Sequence, residues 1–265
     1  MNLSGLYVYP VKSLRGISTS RARIENGRLA ADRNWVLVDA HGQFMHQRDY
    51  PHMARLGVEL LPDGIRVHAD HLPSLEVSYP PSAARSRDPT YVKLWRRSAP
   101  VITLDKDIDR WFSEALALPC RLLAFLPDVP ALNVPDYELH SSLQDATPFH
   151  LTTEESLADL NERTEVPIPM ERFRPNVVVR GAAPYAEDHW KRVRIGGMIL
   201  RHIKPCTRCA ITMTDQQTGT RPSKDPLRAL SQYRRLGNEV VFGHYLVAET
   251  WSPWLSVGDP VSPEP

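Results

Sequence analysis

Cysteine is scarce in this 265-residue chain: Cys120, Cys206 and Cys209 are the only three. Three thiols are too few for the disulfide framework of a small secreted protein. They are also one short of the four thiolates that an all-cysteine iron–sulfur cluster takes. Long apolar runs are missing too. No stretch of about 18 apolar residues exists to cross a membrane as a helix. The opening MNLSGLYVYPVKS has no basic segment followed by an apolar one, so it does not read as a secretory leader. Neither charge dominates, with 32 Lys and Arg against 31 Asp and Glu. A net charge of +1 excludes a general electrostatic grip on nucleic acid, although a local basic patch is still allowed. Internal repeats and low-complexity tracts are absent. These absences lead to the expectation of a soluble protein of a reducing compartment, most simply the cytoplasm, with no nucleic-acid and no membrane partner.

What is present is ordinary globular composition, 42% hydrophobic and 24% charged. The length allows one large domain or two modest ones. Proline is abundant at 24 residues and glycine modest at 13, which favours many fixed loops over a helical bundle. Short strands are expected at 6–9, 35–38, 43–46, 58–60, 65–68, 75–79 and 91–95. Turn residues sit between several of them, such as Leu61-Pro62-Asp63-Gly64. Asp105 caps a helix whose Ile108, Trp111, Phe112, Ala115 and Leu116 share one face, and Pro119 ends it. A strand at 121–125 follows. Proline-rich stretches at 80–89 and 126–148 read as loops, and the second marks the boundary between two parts. Beyond it, Thr152 with Glu155 forms a capping box. Strands are expected at 177–179, 193–195, 198–200, 211–214 and 240–249, with a two-residue Gly196-Gly197 turn. Asp225 and Pro226 open a last helix through Arg235. Strands follow strands, so the class is β-rich α+β and not a doubly wound sheet.

Four segments hold candidate chemistry. In Lys204-Pro205-Cys206-Thr207-Arg208-Cys209, the thiol pair has four readings: a thioredoxin-type site, structural zinc, buried thiols, or a thiolate on a soft metal. The first needs a helix after the pair, where a strand is expected. The second needs four ligands, and only His202 lies near. Flanking Lys204 and Arg208 favour an ionised thiol, which suits a soft metal. Lys12-Ser13 follows the first strand but lacks the glycines of a phosphate loop. Its bland reading is a solvated lysine. Asp32-Arg33 precedes a strand and could be a surface ion pair. Phe173-Arg174-Pro175-Asn176 sits at another strand mouth, where Arg and Asn can grip a phosphate or a heterocycle edge; otherwise Arg174 pairs with Glu171. Together these segments place polar or basic groups at strand entries in both halves, beside a thiol. That would suit a large anionic cofactor between two domains.

The motifs YPVKSLRG, DRNWVLVD, TPFHLTTEESLADLN, ERFRPNVVV, YAEDHW, CTRCAITMTDQQTG, FGHYLV and VGDPV occur in this order over about residues 3–261. In them the chain resembles the MOSC proteins. It is most similar to the branch with an N-terminal β-barrel-like MOSC extension, which includes the mitochondrial amidoxime-reducing component and bacterial reductases of N-hydroxylated bases. The resemblance implies an N-terminal β-barrel-like domain over residues 1–124 and a MOSC β-barrel domain over 125–265. It implies a molybdenum cofactor, a molybdopterin, with the metal on Cys209 and Cys206 in a supporting role or none. Lys12, Ser13, Arg33, Thr147, Arg174, Asn176 and Arg208 then hold the cofactor. The implied activity is reduction of small N-hydroxylated compounds. Some bacterial relatives carry a C-terminal ferredoxin domain, which is not found here. Electrons are therefore expected from an external ferredoxin- or cytochrome-type protein and its reductase. Asp215 is a candidate proton donor or else a loop-surface carboxylate. Two rival readings are a persulfide-bearing sulfur carrier and a protein that binds the cofactor without turnover.

Overall fold

The computed structural model describes residues 1–80, 89–127, 129 and 142–264. Among these, strands dominate, and the α-helices are Lys106–Leu116, Glu154–Asn161 and Leu227–Tyr233. The expected β-rich α+β class is what the chain adopts. No helix among the described residues is long and apolar enough to cross a membrane.

The largest sheet draws on both ends of the chain. Its order is Val261–Glu264, Arg192–Ile195, Met198–Thr207, Glu239–Thr250, Phe149–Thr153, Val177–Arg180, Asn2–Val8 and Ile17–Thr19. Phe149–Thr153 and Val177–Arg180 run parallel, because the helix Glu154–Asn161 carries the chain back between them. Leu3, Leu6 and Val8 of the first strand pack with Phe149, Leu151, Val177 and Leu200 in one core. Each such side chain contributes about 1.5–3 kcal/mol by leaving water. The amino-terminal strand is thereby pinned against strands of the other half.

The rest of the N-terminal half forms a four-stranded sheet, Trp35–Asp39, Cys120–Phe125, Arg97–Thr103 and Thr90–Leu94, and a meander, Gly57–Leu61, Gly64–Ala69 and Leu72–Ser78. Trp35, Leu37, Ile65, Phe112 and Leu122 share its core. Trp254–Ser256 returns from the far end of the chain to pair with Arg21–Glu25. Among the described residues, two strand pairings cross between the halves, and an isolated bridge from Asn2 to Pro260 adds a third link.

Several local expectations differ from the structure. Gln43–His46 meets Trp35–Asp39 through a bridge between Phe44 and Val38, with bonds from the Met45 amide to the Leu37 carbonyl and from the Asp39 amide to the Gln43 carbonyl, and does not extend to a full strand. The second helix is capped by Thr153, whose hydroxyl accepts from the Ser156 amide; Thr152 stays in the strand opposite Val178. Ile211–Thr214 is not a strand. Residues Ala210–Met213 form one 3₁₀ turn, because pairing with the neighbouring strand stops at Thr207 opposite Val241. β-Propensity without a partner edge does not make a strand. The last helix is shorter than expected, and Arg235–Leu236 folds back as a strand on Glu239 and Val240. The loops at 80–89 and 126–148 lie largely outside the described residues.

Candidate functional site

The first strand runs out at Val8, and the chain turns sharply at Lys12 and Ser13. Lys12 is not solvated. It is 5% exposed, and its Nζ donates to the Leu143 carbonyl at 2.9 Å and to Asp145 at 2.5 Å. Burial alone would raise the Asp145 carboxyl, but Lys12, with help from Trp95, holds it well below the usual carboxylate range. Ser13 adopts φ 68°, Arg33 51° and Arg174 55°. Left-handed backbone at non-glycine residues costs on the order of 1 kcal/mol each and gathers at functional sites.

The Asp32–Arg33 pair is internal, not a surface bridge. Asp32 is 0% exposed, and both its oxygens accept from Arg33 Nη1 at 2.6 Å. It also accepts from the Tyr9 amide at 2.9 Å and from Gln144 Nε2 at 3.0 Å. The Arg33 and Arg174 guanidinium groups each lie 4.2 Å from the centre of the buried Tyr9 ring. Gly16 leaves room for that ring: a Cβ there would come within 2.3 Å of it. Arg174 does not turn to Glu171. It donates to the Leu14 carbonyl at 2.8 Å and to Gln216 at 3.3 Å. Burial lowers its guanidinium to about 10, so it is still a cation at neutral pH.

Asn176 and Thr147 direct their hydrogen bonds at backbone. Asn176 accepts from the His150 amide and donates to the Tyr7 carbonyl, which ties three strands together. Thr147 donates to the Phe149 carbonyl. Arg208 donates to Cys206 Sγ at 2.6 Å and to the Phe173 carbonyl at 2.8 Å, while its Nε is buried with no partner. Burial, and then the Arg208 charge, push His150 well below its ordinary value, so its imidazole is neutral. Burial, then the neighbouring Cys206, pushes the Tyr245 phenol well up, and it stays protonated.

The three thiols differ. Cys120 is buried in the N-terminal half, and burial pushes it up to about 11. Cys206 is sealed and raised by burial, with Arg208 opposing. Cys209 is partly exposed at the start of the 3₁₀ turn. Iodoacetamide at pH 8 is therefore expected to alkylate Cys209 at least about tenfold faster than Cys120. Peptide mapping by mass spectrometry reads this, and equal labelling would contradict it. His202 does not serve zinc. It meets the Trp190 carbonyl and His244, and His244 continues to Asp188 at 2.6 Å. Asp215 lines neither cavity described below. Its bonds from Thr218, Gln217 and Arg172 hold it down to about 2, so it carries no proton at neutral pH.

Lys12, Ser13, Arg33, Thr147, Arg174, Asn176, Arg208 and Cys209 all line one cavity of about 100 Å³. Gln144, Asp145, His150, Phe173, Thr207, Ile211 and Tyr245 complete the lining, and of these Gln144, Asp145, His150 and Tyr245 were not singled out from the sequence. His150 and Tyr245 sit inside the quoted motifs, but nothing in a motif tells which side chains face inward. A second cavity of about 460 Å³ adjoins the first and shares Lys12, Ser13, Asp145, Cys209 and Tyr245 with it.

Four cations and one partly exposed thiol thus surround a space that both halves of the chain build. The sequence matches the MOSC N-terminal beta barrel domain over residues 1–119 and the MOSC domain over residues 137–262. The chain belongs to the MOSC family. It is homologous to mitochondrial amidoxime-reducing components. It is 30% identical to component 1 of Mus musculus, over 97% of this chain and 80% of that protein. It is equally identical to component 1 of Homo sapiens, over 97% of this chain and 81% of that one. It is 29% identical to the molybdenum cofactor sulfurase of Oryza sativa subsp. japonica over 99% of this chain, but spans only 35% of that protein. The two MOSC matches agree with a β-rich fold that has barrel-like sheets in each half. The cytoplasmic expectation is corrected by these matches, because the amidoxime-reducing relatives are mitochondrial by name. Few cysteines and no apolar run cannot tell one reducing compartment from another.

Proposed function

We propose that this MOSC protein is a molybdenum-cofactor-dependent reductase of N-hydroxylated compounds: hydroxylamines, amidoximes and N-hydroxylated bases. The observation that supports it is the union of Cys209 with Lys12, Arg33, Arg174 and Arg208 around one cavity. The donor set fits the cofactor. Among the described residues, no group of three His, Cys, Asp or Glu is placed to hold a bare metal ion. A metal that arrives with its own organic ligands needs only one thiolate from the protein. The cations and the unpartnered Arg208 Nε suit its phosphate. At about 100 Å³ the inner cavity is matched to that phosphate, and the wall shared with the second cavity gives room for more.

When bound, the cofactor supplies two-electron reductive cleavage of the N–O bond. The protein's own tasks follow from its residues. Cys209 ligates the metal. Lys12, Arg33, Arg174 and Arg208 hold and orient the anionic end. Asn176 and Thr147 fix the backbone from which Arg174 and His150 project. His150 is neutral and Asp215 is ionised, so neither supplies a proton at neutral pH, and the two protons taken up with the two electrons as water is released are drawn from solvent. Electrons come from an external ferredoxin- or cytochrome-type protein with its reductase.

The test is protein made in a host that synthesises the cofactor. About one molybdenum and one pterin per chain are expected, with reduction of benzamidoxime by a reduced viologen dye. Loaded protein that turns over no N-hydroxylated compound would overturn the reading. A sulfur-carrier role is the second reading, and the likeness to a molybdenum cofactor sulfurase favours it. It predicts a persulfide on Cys209 by mass spectrometry, without molybdenum.

A further inference from the structure

The outer cavity has a wall of its own, formed by His46, Arg48, Trp95 and Arg96. Trp95 is 42% exposed yet firmly held. Its Nε1 donates to Asp145 at 2.8 Å, Phe44 meets it edge-on at 4.9 Å, and His46 lies nearly parallel at 5.8 Å. Trp95 opens the two-residue turn between Thr90–Leu94 and Arg97–Thr103, where it adopts φ 55°. Asn or Gly takes that position at far lower cost, so a bulky indole there stores strain. A strained, exposed and fixed aromatic is a stacking platform.

Charge points the same way. The Arg48 guanidinium lies 4.0 Å from the Trp95 ring centre. Its Nε is buried without a partner, and no carboxylate pairs with it among the described residues. Five cationic side chains, Lys12, Arg48, Arg96, Arg97 and Lys204, and two carboxylates, Asp145 and Glu239, are among the residues that line the cavity. An excess of positive charge within a cleft concentrates anions.

We propose that this outer cavity recognises the part of the substrate remote from the reacting N–OH. It selects planar compounds that carry a carboxylate or phosphate, with the ring against Trp95 and the anion paired to Arg48. The N–OH end rests on the reductase reading; the recognition itself does not. The experiment is calorimetric titration of the cofactor-loaded protein with benzamide, 4-carboxybenzamide and 4-phosphonobenzamide, none of which has an N–O bond to reduce. The charged ligands are expected to bind about tenfold more tightly than benzamide. Preference for only one of them names the anion. Arg48→Met should bring the ratio of affinities close to about one, and Trp95→Ala should weaken all three about fivefold. Should Arg48→Met not fold, Arg48→Lys is expected to reduce the ratio about threefold, since it keeps the charge but loses the planar fork. A ratio near one in the native protein, or one that the Arg48 variants leave unchanged, overturns the proposal. The basic rim would then be left to an acidic protein partner. Failure of the reductase reading shows separately, as benzamidoxime that is bound but never reduced.

Discussion

Cys209→Ala protein, purified from a cofactor-producing host, is expected to hold at least about tenfold less molybdenum than the native chain. Benzamidoxime reduction should fall at least as far. The reason is the donor count. No other thiol is open to the cavity, and no cluster of three ligating side chains exists among the described residues to take over. The cations of the inner cavity are untouched by the change, so pterin should be lost less completely than metal. Cys120→Ala is the control, because that thiol meets Ser113 of the helix Lys106–Leu116 and lines neither cavity. Plasma mass spectrometry for molybdenum and fluorescence for oxidised pterin read the two quantities. Equal molybdenum in native and Cys209→Ala protein removes Cys209 as the ligand.

Asp32→Ala is expected to destabilise the protein by about 3–5 kcal/mol. The carboxylate is fully buried and satisfies three donors: Arg33, the Tyr9 amide and Gln144. Its removal leaves the Arg33 charge without a counter-ion and a buried amide without an acceptor. For a chain of this size that is a fall in Tm of about 10 °C. Asp32→Asn keeps the shape and loses the charge, so about half the effect is expected. Both variants should also lose affinity for inorganic phosphate, because Asp32 fixes Arg33 beside Tyr9. Differential scanning fluorimetry tests the first effect and phosphate titration the second. A Tm within about 2 °C of native for Asp32→Ala would show that the pair is not holding the strand entry together.

The two experiments probe different kinds of legibility. The order of the motifs was readable along the chain, and so were the residue types able to hold an anion beside a thiol. Lys12, Arg33, Arg174 and Arg208 stood out because basic residues at strand mouths are chemically conspicuous. Asp145 and Trp95 did not, since one lies in a proline-rich loop and the other in a short hairpin turn. Each looks like ordinary surface until the fold brings them within 2.8 Å of one another. The misjudged strand at Ile211–Thr214 has a related cause. Ile and Thr favour extended backbone only where a neighbouring strand offers hydrogen bonds, and pairing ends at Thr207.

The sequence by itself determined the class, most of the strands and the chemical inventory of the site, because side-chain periodicity, turn residues and functional groups are local properties. Only the tertiary structure decided which groups meet. The amino-terminal strand is carried onto the sheet of the other half, and that pairing brings Lys12 and Ser13 to Arg174 and Cys209. Burial makes His150 neutral, the adjoining Lys12 charge keeps the buried Asp145 ionised against it, and of the three thiols Cys209 alone remains open. Those outcomes depend on distance and on exclusion of water, neither of which is written in the order of residues along a chain.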